Sequence, residues 1–174
     1  MSIVVNKTTL ERRVSVDTIH YLTSDWWINP TEPDCPARYW KNDNGTLAEM
    51  TPEEKGQRDE ADLIAAKIER KDEVQAELKE YIQRAYDDDE QMDFLLLFAL
   101  AIEQVNQEAK GYIYPLIAWV QNGQKLMREA KQRIEDASDT EAVQSSGYDY
   151  EAFYFWHQTM PDVTTQRAGE IING

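Results

Sequence analysis

Three groups of side chains in this chain have the types and spacing that chemistry uses, and each also has a plainer structural reading. Asn42-Asp43-Asn44-Gly45 presents alternating oxygen donors ahead of a glycine, as a calcium loop does. With Gly45 at the loop glycine, the first ligand position falls on Trp40 and the last on Thr51, and neither supplies a carboxylate. A hairpin turn over Asn44-Gly45 accounts for the same residues. Asp87-Asp88-Asp89-Glu90 is the second group. Clustered carboxylates hold hard cations, yet acidic residues also open helices, with Asp88 or Asp89 as the expected cap. His20, Cys35 and His157 form the third group. They lie far apart in the chain, and one cysteine with two histidines is too few for the usual zinc sets. Neither a phosphate-binding G-x-x-x-x-G-K-S/T loop nor a G-x-S-x-G elbow occurs. The residues therefore point away from an enzyme and call for no metal or cofactor.

Composition narrows the class further. A chain of 174 residues with 41% hydrophobic and 29% charged side chains buries a core without staples. Its 33 acidic and 18 basic residues give a net charge of -15, which repels phosphates and argues against direct nucleic-acid binding. The single cysteine excludes an internal disulfide framework. Met1 to Val5 lacks the charged start and apolar run of a secretory signal. Phe94 to Ile102 is too short to span a bilayer and reads as a buried helix. The expectation is a soluble protein made in a reducing cytoplasm, with no membrane contact.

The elements that must position any surface follow from pattern. Residues 1–50 read as an extended N-terminal arm with short β-strands. One strand is expected where Val14, Val16 and Thr18 alternate with Ser15, Asp17 and Ile19. Residues 51–137 read as the helical body. Thr51-Pro52-Glu53-Glu54 carries an N-cap, a first-turn proline and the glutamate of a capping box. From there a three-four apolar spacing runs to Ala85. It resumes at Met92 and continues through Ile113 and Ile134 to Ala137, with only Asn106 and Gly123 out of pattern. Gly111 and Pro115 predict a break or kink near Lys110 to Tyr114. Phe94, Leu97, Phe98 and Ala101 add a second apolar face, which predicts a central helix buried on two sides. Residues 138–174 read as a linker and an aromatic C-terminal segment. The fold class is mainly α, either a helical hairpin or bundle or a coiled coil, with the N-terminal arm attached. The short turn at Asp87 to Glu90 favours an antiparallel hairpin. Asn106 at a seam position would fix register or oligomer state, and self-association stays open.

Two aromatic sets are candidate partner-binding anchors. Trp26, Trp27, Tyr39 and Trp40 lie in the arm, and Phe153, Tyr154 and Trp156 lie near the other end. Tyr and Trp either fill a core or anchor an interface, because each buries a large area while keeping a polar tip.

One segment also resembles a known family. Tyr39-Trp40-Lys41, Asn44-Gly45, Leu47 and Glu49-Met50-Thr51-Pro52-Glu53-Glu54-Lys55 are similar to a passage in tail-associated proteins of tailed bacteriophages. That passage has an aromatic, a turn and a Met-Thr-x-x-Glu-Lys sequence, and in those proteins a short hairpin hands over to a helix. The likeness covers Tyr39 to Ala61. It implies a non-enzymatic virion component, a fibre-attachment or baseplate adaptor, or else a tail-fibre assembly chaperone, whose partners are other proteins of a viral assembly. The charge supports a different expectation, an acidic inhibitor that mimics nucleic acid. Lys67, Arg70 and Lys71, and later Lys125, Arg128, Lys131 and Arg133, interrupt the acidic face such a mimic needs.

Overall fold

The computed structural model describes residues 2–14 and 16–173. Met1, Gly174 and Ser15, a member of the expected alternation, lie outside them. The chain is mainly helical with a few short strands near its N-terminus, and it divides into two compact units, Met1–Asp62 and Leu63–Gly174.

In the first unit β1 (Ile3–Asn6) is the centre of a three-stranded antiparallel sheet, between β2 (Arg12–Val14) and β3 (Trp26–Ile28). Val4 and Val5 are both fully buried, so the central strand is covered on its two faces. The strand expected from Val14 onward is displaced. Arg12–Val14 pairs with Ile3–Val5, and Thr18–His20 is a single 3-10 turn started by Asp17, whose side chain accepts from the Ile19 amide. The local oxygen of Asp17 thus competes with strand pairing there. β4 (Trp40–Asp43) and β5 (Thr46–Glu49) form a two-stranded hairpin. Its turn residues Asn44 and Gly45 both have positive φ, 51° and 89°, the conformation that Asn-Gly favours in tight hairpins. The arm is better described as a small folded unit than as an extended strap. Val5, Trp40 and Leu47 make a buried cluster with Ile3, Leu10, Trp27 and Cys35 packed around it.

Helix α1 (Pro52–Ala85) starts in this unit. Thr51 accepts from the Glu54 amide and Glu54 accepts from the Thr51 amide, a reciprocal capping box. Lys41 of the hairpin binds Glu54 at 2.5 Å, and Asp59 accepts from Arg38 and from the Tyr39 hydroxyl. The first turns of the helix are thus held by the hairpin before them.

The second unit contains the remainder of α1, α2 (Asp88–Glu103), α3 (Gln107–Asp136) and three short helices, α4 (Thr140–Ser145), α5 (Tyr150–Gln158) and α6 (Thr165–Asn173). The acidic run caps α2 as expected, but the cap is Asp87 rather than Asp88 or Asp89. It is the residue placed three before Glu90, and that spacing closes a second capping box. The expected break is also elsewhere. α3 runs through Pro115 uninterrupted, and the chain turns instead at Val105 (φ 56°) and Asn106. Asn106 caps α3 by accepting from the Ala109 amide, and its amide group donates to the Ile171 carbonyl at 3.1 Å. Within the chain, Asn106 ties the end of α6 to the start of α3.

α1 and α3 run antiparallel. Lys67 donates to the Glu135 carbonyl, Lys71 binds the Glu135 carboxylate, and Lys131 donates to Gln75, so residues later in α1 meet residues earlier in α3. Between them lie Leu78, Ile82, Ile113, Leu116 and Trp119 at one end and Val74, Ala130 and Ile134 at the other. α5 closes the first cluster. Trp156 stacks on Trp119 with ring centres 4.6 Å apart and planes within 15°. Each indole N–H donates to the other residue's backbone carbonyl, at 3.0 and 2.8 Å. Gly123 makes room for this pair, since a Cβ there would sit 2.5 Å from the Trp156 ring. The segment between α4 and α5 is pinned by two arginines. Arg70 donates to the Ser146 carbonyl and Arg133 to the Gly147 carbonyl.

Candidate functional site

The surface most in need of explanation is on α2. Its sequence contains nine consecutive apolar residues, Phe94 to Ile102, more than one helical face can hold at 3.6 residues per turn. One face is used internally. Phe94 and Ala101 are buried, and Leu97 and Phe98 pack partly against the same clusters. The opposite face is open. Met92, Leu95, Leu96, Leu100 and Ile102 remain 57%, 60%, 57%, 41% and 52% exposed, with Ala99 among them. At 100° per residue these six occupy about half of the helix circumference. Isolated exposed apolar residues are ordinary, whereas a contiguous set on one helix marks an interaction surface. The expectation that this stretch is buried on both sides is therefore corrected. α3 and α6 cover one side of the helix only.

A groove of about 260 Å³ runs beside this face in the second unit. Its floor is Ile82, Tyr86, Phe94, Leu116 and Val120, Leu95 links it to the outward face, and Gln91, Gln121 and Gln124 form an uncharged rim. Tyr86 donates its hydroxyl to the Pro161 carbonyl at 2.7 Å, and burial pushes its phenol above the usual range, so it stays neutral.

The charges on α2 itself have one sign, while α6 and α3 beside it carry Arg167 and Lys110. Asp87, Asp88, Asp89, Glu90, Asp93 and Glu103 are the charged residues of α2 and its cap, and neither lysine nor arginine occurs from Asp87 to Gln107. The ion pairs of this unit lie elsewhere, at Arg70–Glu73, Lys71–Glu135, Arg84–Glu80, Lys125–Glu129 and Arg167–Glu170.

The seven aromatic candidates are distributed differently. Trp40, Phe153 and Trp156 are core residues. The Trp40 indole N–H donates to Cys35 O at 3.1 Å, and Trp156 is engaged with Trp119 as described. None of these three has a face to offer a partner. Trp26, Trp27 and Tyr39 are half-buried. Trp27 donates to the Gly45 carbonyl at 2.6 Å, and Tyr39 is held by Asp59. Tyr154 is exposed and stacks on the exposed Tyr150 at 6.2 Å. The aromatic sets thus build the two cores more than they build a surface.

The remaining candidates bring no reactive groups together. His20 lies in the first unit, while His157 packs edge-on against Tyr81 at 4.7 Å in the second. Burial, reinforced by the Glu49 charge, pushes the Cys35 thiol up, which disfavours the thiolate. Among the described residues no three His, Cys, Asp or Glu side chains are placed to hold a metal ion, and no helix is long and apolar enough to cross a membrane. A second concavity in the second unit is lined by Tyr81, Tyr148, Phe153, Tyr154 and His157 with Arg70 and Glu77. Two of its polar groups are engaged within the fold, Tyr148 by the Val74 carbonyl and Arg70 by the Ser146 carbonyl and Glu73.

No protein-family model, curated protein or solved structure matches this chain.

The α2 face escaped residue-by-residue reading because burial depends on which neighbours arrive. The usable signal was the excess itself. Apolar residues at every position for nine residues are twice what one packed side requires.

Proposed function

We propose that this protein is a non-enzymatic structural component of a bacteriophage tail, a fibre-attachment or baseplate adaptor that acts through protein–protein interfaces. In this reading α1 and α3, joined through α2, form the antiparallel pair at the centre of a small bundle, and α2 presents the docking surface. The observation that carries it is the open apolar face of α2 beside an apolar groove that no charged side chain lines, a surface suited to a protein. The tail assignment draws on the hairpin from Trp40 to Glu49, which enters α1 through the Thr51–Glu54 capping box, the local arrangement that the resemblance implies.

A nucleic-acid mimic is less well supported. Basic residues are threaded among the carboxylates in both units, as in Arg38–Asp59, Lys41–Glu54 and Lys71–Glu135, which leaves short acidic stretches rather than a continuous row. The test is mass spectrometry of purified particles made by the genome encoding this chain, with sedimentation of the protein alone and with its neighbouring gene products. A structural component is recovered in the finished particle at fixed stoichiometry. A fibre-assembly chaperone binds fibre protein in lysates and is absent from the particle. A monomer found in neither setting overturns the reading.

A further inference from the structure

The surface of α2 also specifies what should sit on it. We propose that the outward face of α2 and its adjoining groove receive a basic amphipathic helix of another protein, an inference that rests on the reading of this chain as an interaction component.

Shape comes first. Met92, Leu95, Leu96, Ala99 and Leu100 follow three-four spacing, so they form a ridge of the kind that seats in the grooves of a second helix. From Met92 to Ile102 the ridge is about 15 Å long, so it needs a partner helix of about three turns. Leu95 joins the ridge to the groove, which is wide enough for one large apolar side chain of the partner. The glutamine rim lets that side chain enter without stripping water from a charge.

Charge selects the occupant. All six ionised side chains of α2 and its cap are carboxylates, and none of them is in an ion pair with a basic residue among the described residues. A second copy of this chain is a poor fit. Paired antiparallel, the acidic end at Asp87 to Glu90 would meet Glu103 of the other copy, and paired parallel, the two acidic ends would meet. Like charges face each other in either arrangement, with no cation on α2 to compensate. A helix with Lys or Arg beside its apolar stripe complements both ends. Such helix-in-groove recognition is a recurring mode of peptide binding.

The experiment uses the full chain and three synthetic peptides of about 18 residues. One has leucines at three-four spacing flanked by lysines, its twin has glutamates in place of the lysines, and the third is a scramble of the basic peptide. Fluorescence anisotropy measures binding. The basic amphipathic peptide should bind about tenfold or more tightly than either control. Its affinity should fall between about 50 and 300 mM salt. Leu96→Ser with Leu100→Ser should weaken it about tenfold, and Asp88→Asn with Asp89→Asn should flatten its salt dependence. These leucines are exposed, and circular dichroism verifies that the variants fold. Equal binding of the basic peptide and its scramble would overturn the proposal, as would equal binding of the acidic twin. No binding of any peptide would overturn it too, yet leave the tail reading standing if the chain is found in particles. Concentration-dependent dimerisation abolished by the leucine variant would assign the face to a second copy instead, and also overturn it.

Discussion

The aromatic cluster around α5 and the aliphatic run of α2 exchange the roles that composition suggests for them. Tyr, Trp and Phe are enriched at interfaces, and Leu and Ile in cores. Here Trp119 and Trp156 are buried face to face with both indole N–H groups satisfied, while Leu95, Leu96 and Leu100 stand open. The difference lies in what each set needs in order to be buried. An indole enters a core at least cost where an acceptor waits for its N–H, and each of these two residues supplies a backbone carbonyl to the other. Leucine has no such requirement, so it is sorted by neighbours alone, and α2 has neighbours on one side only.

This contrast can be broken most severely at the tryptophans. Trp119→Ala should cost about 3–5 kcal/mol, by removing a large buried ring together with its N–H donor to the Trp156 carbonyl, and should lower the thermal midpoint measured by circular dichroism. A loss below about 1 kcal/mol would mean that the pair is not a core element. Gly123→Ala probes the same place by addition. Its methyl group would meet the Trp156 ring at 2.5 Å, so urea unfolding should report about 1–3 kcal/mol of destabilisation although alanine is the better helix former. On the other side of the comparison, Leu96→Ser with Leu100→Ser should change stability little, by about 0.5 kcal/mol per site, while lowering the binding of an apolar dye. A cooperative loss of fold in that variant would place the face inside a core.

The smallest effect is electrostatic. The hydrogen bond from Lys71 holds Glu135 below its ordinary 4.5. A carboxyl group depressed in the folded state adds stability that is fully present above its unfolded pKa and is lost as pH falls through its folded pKa. The midpoint difference between the wild type and Lys71→Ala should therefore be present at pH 6 and vanish below the folded value, in the acid range under pH 4.5. Because the pair is exposed, this difference should be minor beside the tryptophan effects.

What the sequence disclosed were the features that close locally. The Thr51–Glu54 box and the Asn44-Gly45 turn each complete their hydrogen bonds within a few residues, so spacing suffices to find them. The mainly helical character is equally legible from three-four spacing. The α2–α3 break is not, because two signals compete. Pro115 removes one hydrogen bond, which a long packed helix tolerates, whereas Asn106 ends one helix, caps the next and gains the Ile171 carbonyl from 65 residues away. Burial of the aromatic candidates was hidden for the same reason. The partners of Trp40 and Trp156 are backbone carbonyls, which no side-chain pattern announces.

The facing indoles of Trp119 and Trp156 have an optical consequence. Two indoles stacked 4.6 Å apart are close enough to couple electronically, so docked α5 gives the near-ultraviolet circular dichroism a contribution that undocking removes. The three other tryptophans, at 26, 27 and 40, belong to the first unit and stand outside that pair. The molecule therefore contains its own unlabelled gauge of whether α5 is seated, readable during assembly without attaching anything to it.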